Sequence, residues 1–186
     1  MGLAIRDFCH GVLYGNTNVG YNANPYQYHS TQGFVAGSAY IPRLVHLYLK
    51  KSADYPDPWP AMYIQIVTLD FTVIAQAEFP VSLLNPDTYT WLAINLSTVN
   101  GHIIEGNTYS ISIFSSHSGV GFLDVGKVAN NFNTGMAGQV AGDLDAAWSS
   151  LPNCDLMFEV WGIDRDNVLT TSLKTNSRNN AVIFGG

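Results

Sequence analysis

Residues 105–116 read EGNTYSISIFSS. A Glu-Gly-Asn turn signal is followed by Tyr109, Ile111 and Ile113, which alternate with Ser110 and Ser112. Side chains on a strand point to opposite faces in turn, so a period of two describes a strand with one buried face. The other face is unusual. Charged residues are the ordinary solubilising choice, yet none occurs from Gly106 to Ser116. Small hydroxyls and then Phe114 stand there instead, so the strand is expected to lie in a sheet whose outer face is itself covered.

The same alternation recurs on both sides of this segment. In residues 39–51, Val45, Leu47 and Leu49 fall on one face, with His46, Tyr48 and Lys50 on the other. Met62, Ile64 and Ile66 continue the pattern, and another strand is expected between Phe71 and Phe79. After the turn signal Asn85-Pro86-Asp87, Leu92, Ile94 and Leu96 share a side. Residues 119–125, GVGFLDV, make a further strand, and in residues 155–162 Leu156, Phe158 and Val160 alternate with Met157, Glu159 and Trp161. The segment SADYPDPWPA is a loop, because Pro56, Pro58 and Pro60 have no N–H to give to a ladder. Residues 14–33, rich in Asn, Gly and Tyr, show no period and are expected to be irregular or extended. The single helix candidate is 142–150, where Asp143 would cap one turn; a loop fits equally well. Short strands at regular spacing, separated by Gly, Pro and Asn turns, are the pattern of an all-β sandwich.

Composition bounds the function. The chain of 186 residues has the size of one compact domain with extra segments. Charged residues make up 12% of it, about half the roughly 25% of ordinary soluble proteins. Aromatics are also 12%, so much of the surface must consist of Asn, Ser, Thr, Gly and Tyr. Such a surface suits contact with glycans or burial against neighbouring subunits. A net charge of −6 with scattered Lys and Arg argues against nucleic acid or an anionic membrane as partner, since both need a clustered basic face. No apolar run approaches the roughly 20 residues of a membrane span. The opening MGLAIRDFCHG lacks the charged and apolar regions of a signal peptide, so synthesis in a cytoplasm without export by that route is expected. Cys9 and Cys154 are expected to be free thiols.

The residues that carry chemistry do not assemble into a catalytic pattern. His10, His29, His46, His102 and His117 are dispersed, with no metal-ligand spacing among them. Ser115, Ser116, His117 and Asp124 include the residue types of a hydrolase triad, but no Gly-x-Ser-x-Gly elbow is present. Glu105, Glu159, Asp143 and Asp155 are each accounted for by a turn, a strand end or a cap. No enzymatic activity is expected, and no cofactor. Calcium is the one ion considered: Asp143 with Asp145, and Asp164 with Asp166, are alternating acids of the kind that supply hard oxygen ligands, although neither pair fills an EF-hand loop.

Two features point to partners. In DYPDPWPAMY, prolines stiffen the presentation of Tyr55 and Trp59, which suits stacking on a sugar or contact with a protein. Further on, DRDNVLTTSLKTNSRNNAVIFGG is polar for most of its length and then turns apolar at Val182, Ile183 and Phe184. That run is expected to dock, on its own sheet or on the open edge of a neighbour's.

The succession TQGFVAGSAYIPRLVHLYLKK, MYIQI, TWLAINLS, IIEGNTYSISI, NNFNTGM and DLMFEVWG resembles the β-jelly-roll modules of bacterial surface proteins and of phage tail and capsid-associated proteins. The resemblance covers residues 32 to 162. It implies a jelly-roll-like antiparallel β-sandwich over 34–162 and leaves unmatched the two ends, which are expected to form an extended N-terminal arm over 1–33 and a C-terminal tail over 163–186. The rigid DYPDPWP stands where those modules have a small Gly-rich turn. The leading expectation is a structural or decoration protein of a viral, phage-like particle, located in the virion and assembling as a homo-oligomer through arm and tail. The alternative is a carbohydrate-binding module of a surface or tail adhesion protein, extracellular or on the cell surface, using Tyr55, Trp59 and Phe132.

Overall fold

A computed structural model describes residues 3–10, 13–22, 26–51, 62–115, 121–128, 137–141, 149–150 and 155–165. Among the described residues fourteen strands follow one another, the first half being β1 (Ala4–Cys9), β2 (Leu13–Asn22), β3 (Tyr26–Val35), β4 (Tyr40–Lys51), β5 (Met62–Thr68), β6 (Val73–Phe79) and β7 (Thr90–Asn95). The second half contributes β8 (Ser97–Thr98), β9 (Thr108–Ser115), β10 (Gly121–Val128), β11 (Ala137–Ala141), β12 (Ser149–Ser150), β13 (Asp155–Leu156) and β14 (Phe158–Asp164). A short 3-10 turn spans Val81–Leu83.

The protein is an all-β sandwich of two packed antiparallel sheets. The first has the order β1-β14-β4-β7, and the second runs β8-β6-β5-β9-β3 and continues into β2 and β10. Strand β10 then returns to pair with the last residues of β4, Leu123 to Val125 against Lys51 to Leu49, so the ladder passes from one layer to the other. The strand of the opening quotation, β9, lies between β3 and β5 near the middle of the second sheet. Tyr109, Ile111 and Ile113 are buried there as the alternation requires, and Ser110, Ser112 and Phe114 are half-buried on the opposite face.

Side chains from the inner faces form one core. Val45, Leu47 and Leu49 of β4 and Phe158 and Val160 of β14 meet Ile64, Ile66, Ile111 and Ile113 of the second sheet. A ring contact joins the layers: Phe34 of β3 lies 5.8 Å from Phe158 of the first sheet, and 6.0 Å from Tyr109 of its own. A polar pair is built into this interior, Gln32 with Asp155, both fully buried. Gln32 donates through its amide nitrogen to Asp155 Oδ1 at 3.0 Å and to the Gly33 carbonyl at 2.9 Å. Its oxygen accepts from the Leu156 N–H at 2.7 Å. Buried polar atoms are costly unless paired, so this set ties β3 to β13 in one register.

Residues 14–33, expected to be irregular or extended, are extended where described and lie in β2 and β3, and β1 before them pairs with β14 along its length. What holds β1 is specific polar contact rather than alternation. Arg6 reaches the Gly162 carbonyl at 3.3 Å and Asp164 at 2.7 Å. Asp7 accepts from the Tyr40 hydroxyl at 2.7 Å and from the Gly37 N–H at 3.0 Å, so one carboxylate fixes β1 to the start of β4. Met157, expected to face outward with Glu159 and Trp161, is buried. The chain breaks step between β13 and β14 at this residue: its N–H goes to the Gly126 carbonyl at 2.9 Å and its carbonyl accepts from Tyr48 at 3.4 Å.

Candidate functional site: the outer face of the first sheet

Because Val45, Leu47 and Leu49 point into the core, His46, Tyr48 and Lys50 of β4 must point out. The same rule sends Glu159 and Trp161 outward from β14, Phe8 from β1 and Trp91 from β7. Cross-strand pairing brings them together: Phe8 opposes Glu159, Glu159 opposes His46, and Tyr48 opposes Trp91. Four strands therefore contribute to one surface.

Glu159 is at its centre. The Trp161 indole N–H donates to Oε2 at 2.7 Å, and His46 Nδ1 is 2.7 Å from the same oxygen. His10 Nε2 lies 2.8 Å from Oε1. Burial would raise the Glu159 carboxyl, but the hydrogen bonds from Trp161 and His46 and the two imidazoles outweigh it and hold the group below its usual range. A carboxylate kept ionised in this way is an acceptor and an anchor. It is the reverse of a general acid, which needs a raised value.

Around this centre the rings form a continuous path. Phe8 lies 5.1 Å from His10, and His10 lies 5.2 Å from Trp91. Trp91 is 5.2 Å from Tyr48, which stacks on Tyr89 at 5.3 Å. Lys50 closes the path with its ammonium 5.2 Å from the Tyr89 ring and 3.6 Å from Asp124. Tyr89 is pushed up to about 12 by burial first, then by Asp124 and Tyr48. His46 is also 5.5 Å from Trp161. Phe8 remains 60% exposed and Trp91 40%, so the path has ring surface left for a partner.

Of the residues singled out in the sequence, Tyr55, Trp59, Phe132, Val182, Ile183, Phe184, Asp143, Asp145 and Asp166 lie outside the described residues. Asp164 ends β14, and its carboxylate is ion-paired with Arg6. Among the described residues no group of three or more His, Cys, Asp or Glu side chains is placed to hold a metal ion. Cys9 is a free, buried thiol, pushed up to about 12 by burial and by Asp155. Among the described residues no helix is long and apolar enough to cross a membrane.

The site containing Glu159, His10, Tyr48, Tyr89, Trp91 and Trp161 is not recognised from the sequence. Alternation already sets Tyr48 opposite the core side of β4, and Glu159 and Trp161 opposite the core side of β14. The missing signal is that β14 lies next to β4 and β4 next to β7, which no local pattern states. No family model and no curated protein matches this sequence.

Proposed function

We propose that this chain is a non-enzymatic structural or decoration subunit of a viral, phage-like particle, with a jelly-roll-like core that assembles with other copies of itself. One observation carries the reading: the outer face of the first sheet presents a run of rings whose charged groups are engaged with one another. Glu159 is occupied by His10, His46 and Trp161, and Lys50 by Asp124 and Tyr89. Apolar ring surface beside satisfied polar groups is the composition of an interface centre, where aromatics are enriched and free charges depleted. The low charge of the whole chain supports the same reading. Neither a nucleic acid nor a lipid bilayer is its partner, and its place is the virion.

Light scattering tests it. The wild-type chain is expected to exceed its 20.3 kDa monomer mass, and Trp91→Ser with Phe8→Ser to return it toward that value while the fold persists. A wild-type monomer at every concentration would sink the proposal.

A second reading uses the same rings as a carbohydrate platform on an extracellular or cell-surface adhesion protein. The half-exposed Trp91 beside Tyr48 and Tyr89 favours it, because sugars stack on such surfaces. It predicts saturable glycan binding that Trp91→Ala abolishes without altering the solution mass.

A further inference from the structure

Where β5 turns into β6, two large apolar side chains stand in solvent: Leu69 is 71% exposed and Phe71 66%. Phe71 also has a φ of 62°, and no other non-Gly residue among those described has a positive value. For a bulky L residue this left-handed conformation is costly. The turn does not use the ring to recover that cost. It is held by the Phe71 N–H to the Thr68 carbonyl at 3.0 Å, by the Thr72 N–H to Thr68 Oγ1 at 3.0 Å, and by the Thr68 hydroxyl donating to Asp70. An exposed aromatic kept in a strained backbone is a feature of surfaces that present a side chain to something else.

The turn has apolar neighbours. Thr68 opposes Tyr109, whose hydroxyl accepts from the Ile104 N–H at 2.9 Å, and the Val99 N–H donates to the Ile74 carbonyl at 2.8 Å. The segment 99–107 therefore runs beside the turn, and its Val99 and Ile104 are each 48% exposed. The carboxylates on the two segments, Asp70 and Glu105, are exposed. They disfavour an anionic lipid surface as the occupant.

Strand β14 finishes at this same end. Asp164 pairs with Tyr40, and Tyr40 bridges to Ile103. The chain beyond Arg165 carries one acid, Asp166, and the bases Lys174 and Arg178 before its apolar run at Val182, Ile183 and Phe184. At roughly 3.3 Å per extended residue that connection is long enough to bring the run back over the turn. Its excess of bases complements Asp70 and Glu105. We infer that the apolar run Val182, Ile183 and Phe184 docks on the end of the sandwich formed by Leu69, Phe71, Val99 and Ile104. The run that docks is the chain's own, so the inference stands apart from the assembly reading.

Trypsin cleavage after Arg178 of the full chain, followed by mass spectrometry, tests this. The wild type is expected to be cut slowly, and Phe71→Gly and Ile183→Asp each to be cut roughly tenfold faster, as a docked segment opens before cleavage. Phe71→Gly relieves the positive φ, so its unfolding midpoint should hold or rise, and faster cleavage would not reflect a lost fold. The inference is overturned if either variant is cut at the wild-type rate, or if the wild type is cut as fast as a free peptide of residues 170–186. Trp91→Ser reports on the ring-lined face through solution mass, so failure there is distinguishable from failure here.

Discussion

The two outer faces of the sandwich are both poor in free charge, but they reach that state differently. On the first sheet, rings from four strands surround a carboxylate that three side chains engage. On the second, Ser110 and Ser112 of β9 sit near Gln65 and Gln76, which bond to each other at 3.2 Å, and among the described residues Tyr63 stacks on Phe114 at 5.6 Å. Hydroxyls and amides remain compatible with water, so that second face can stay wet at little cost. Ring surface is not compatible with water to the same degree, and its burial is worth about 25 cal/mol per Å². Low charge alone therefore does not set what burying a face would be worth; the chemistry that replaces the charge does.

That contrast can be tested by substitution. The largest effect is expected where the first sheet has no room. A Cβ on Gly162, at the bulge of β14, would run into the Tyr40 ring and come within 2.8 Å of the Ile41 carbonyl. Gly162→Val should lower stability by about 3 kcal/mol or more in urea unfolding, since backbone and a buried ring must both move.

Next comes Glu159. Glu159→Ala leaves the Trp161 and His46 donors without their acceptor and should cost about 1–2 kcal/mol, the lower part of the range because both are half-buried. Its pH signature has a defined sign. The folded carboxyl is held below its unfolded value of about 4.3, so its contribution is present above that pH and is lost as pH falls through the folded value. The gap between wild type and Glu159→Gln should therefore close in acid below about pH 4. A gap that widened there would mean that the cluster is held in some other way.

Trp91→Ser should change stability by no more than about 1 kcal/mol, since the ring is 40% exposed, while lowering the solution mass. If mass and stability fell together, the ring would be packing material for its own sheet. Smallest of all, Ser112→Thr on the second face should stay within about 0.5 kcal/mol and leave the mass unchanged. A loss of assembly from that substitution would erase the distinction between the faces.

Much of the architecture is legible residue by residue. Alternation in 45–49, 62–66, 109–113 and 158–160 identifies buried faces because strand geometry has a period of two whatever its neighbours are. It says nothing about β1, whose place is set by Arg6 and Asp7 meeting Gly162, Asp164, Gly37 and Tyr40 from distant parts of the chain. Met157 escapes for a related reason, since its burial follows from a change of partner strand.

From its residues alone, this chain is an all-β protein with few free charges, and the inward and outward sides of most central strands can be assigned. Those properties follow from local sterics and from composition. Which strands become neighbours depends on contacts between residues more than a hundred positions apart, as between His46 and Glu159. Local propensity carries no record of such pairings, so the ring-lined face around Glu159 exists only once the layers have packed.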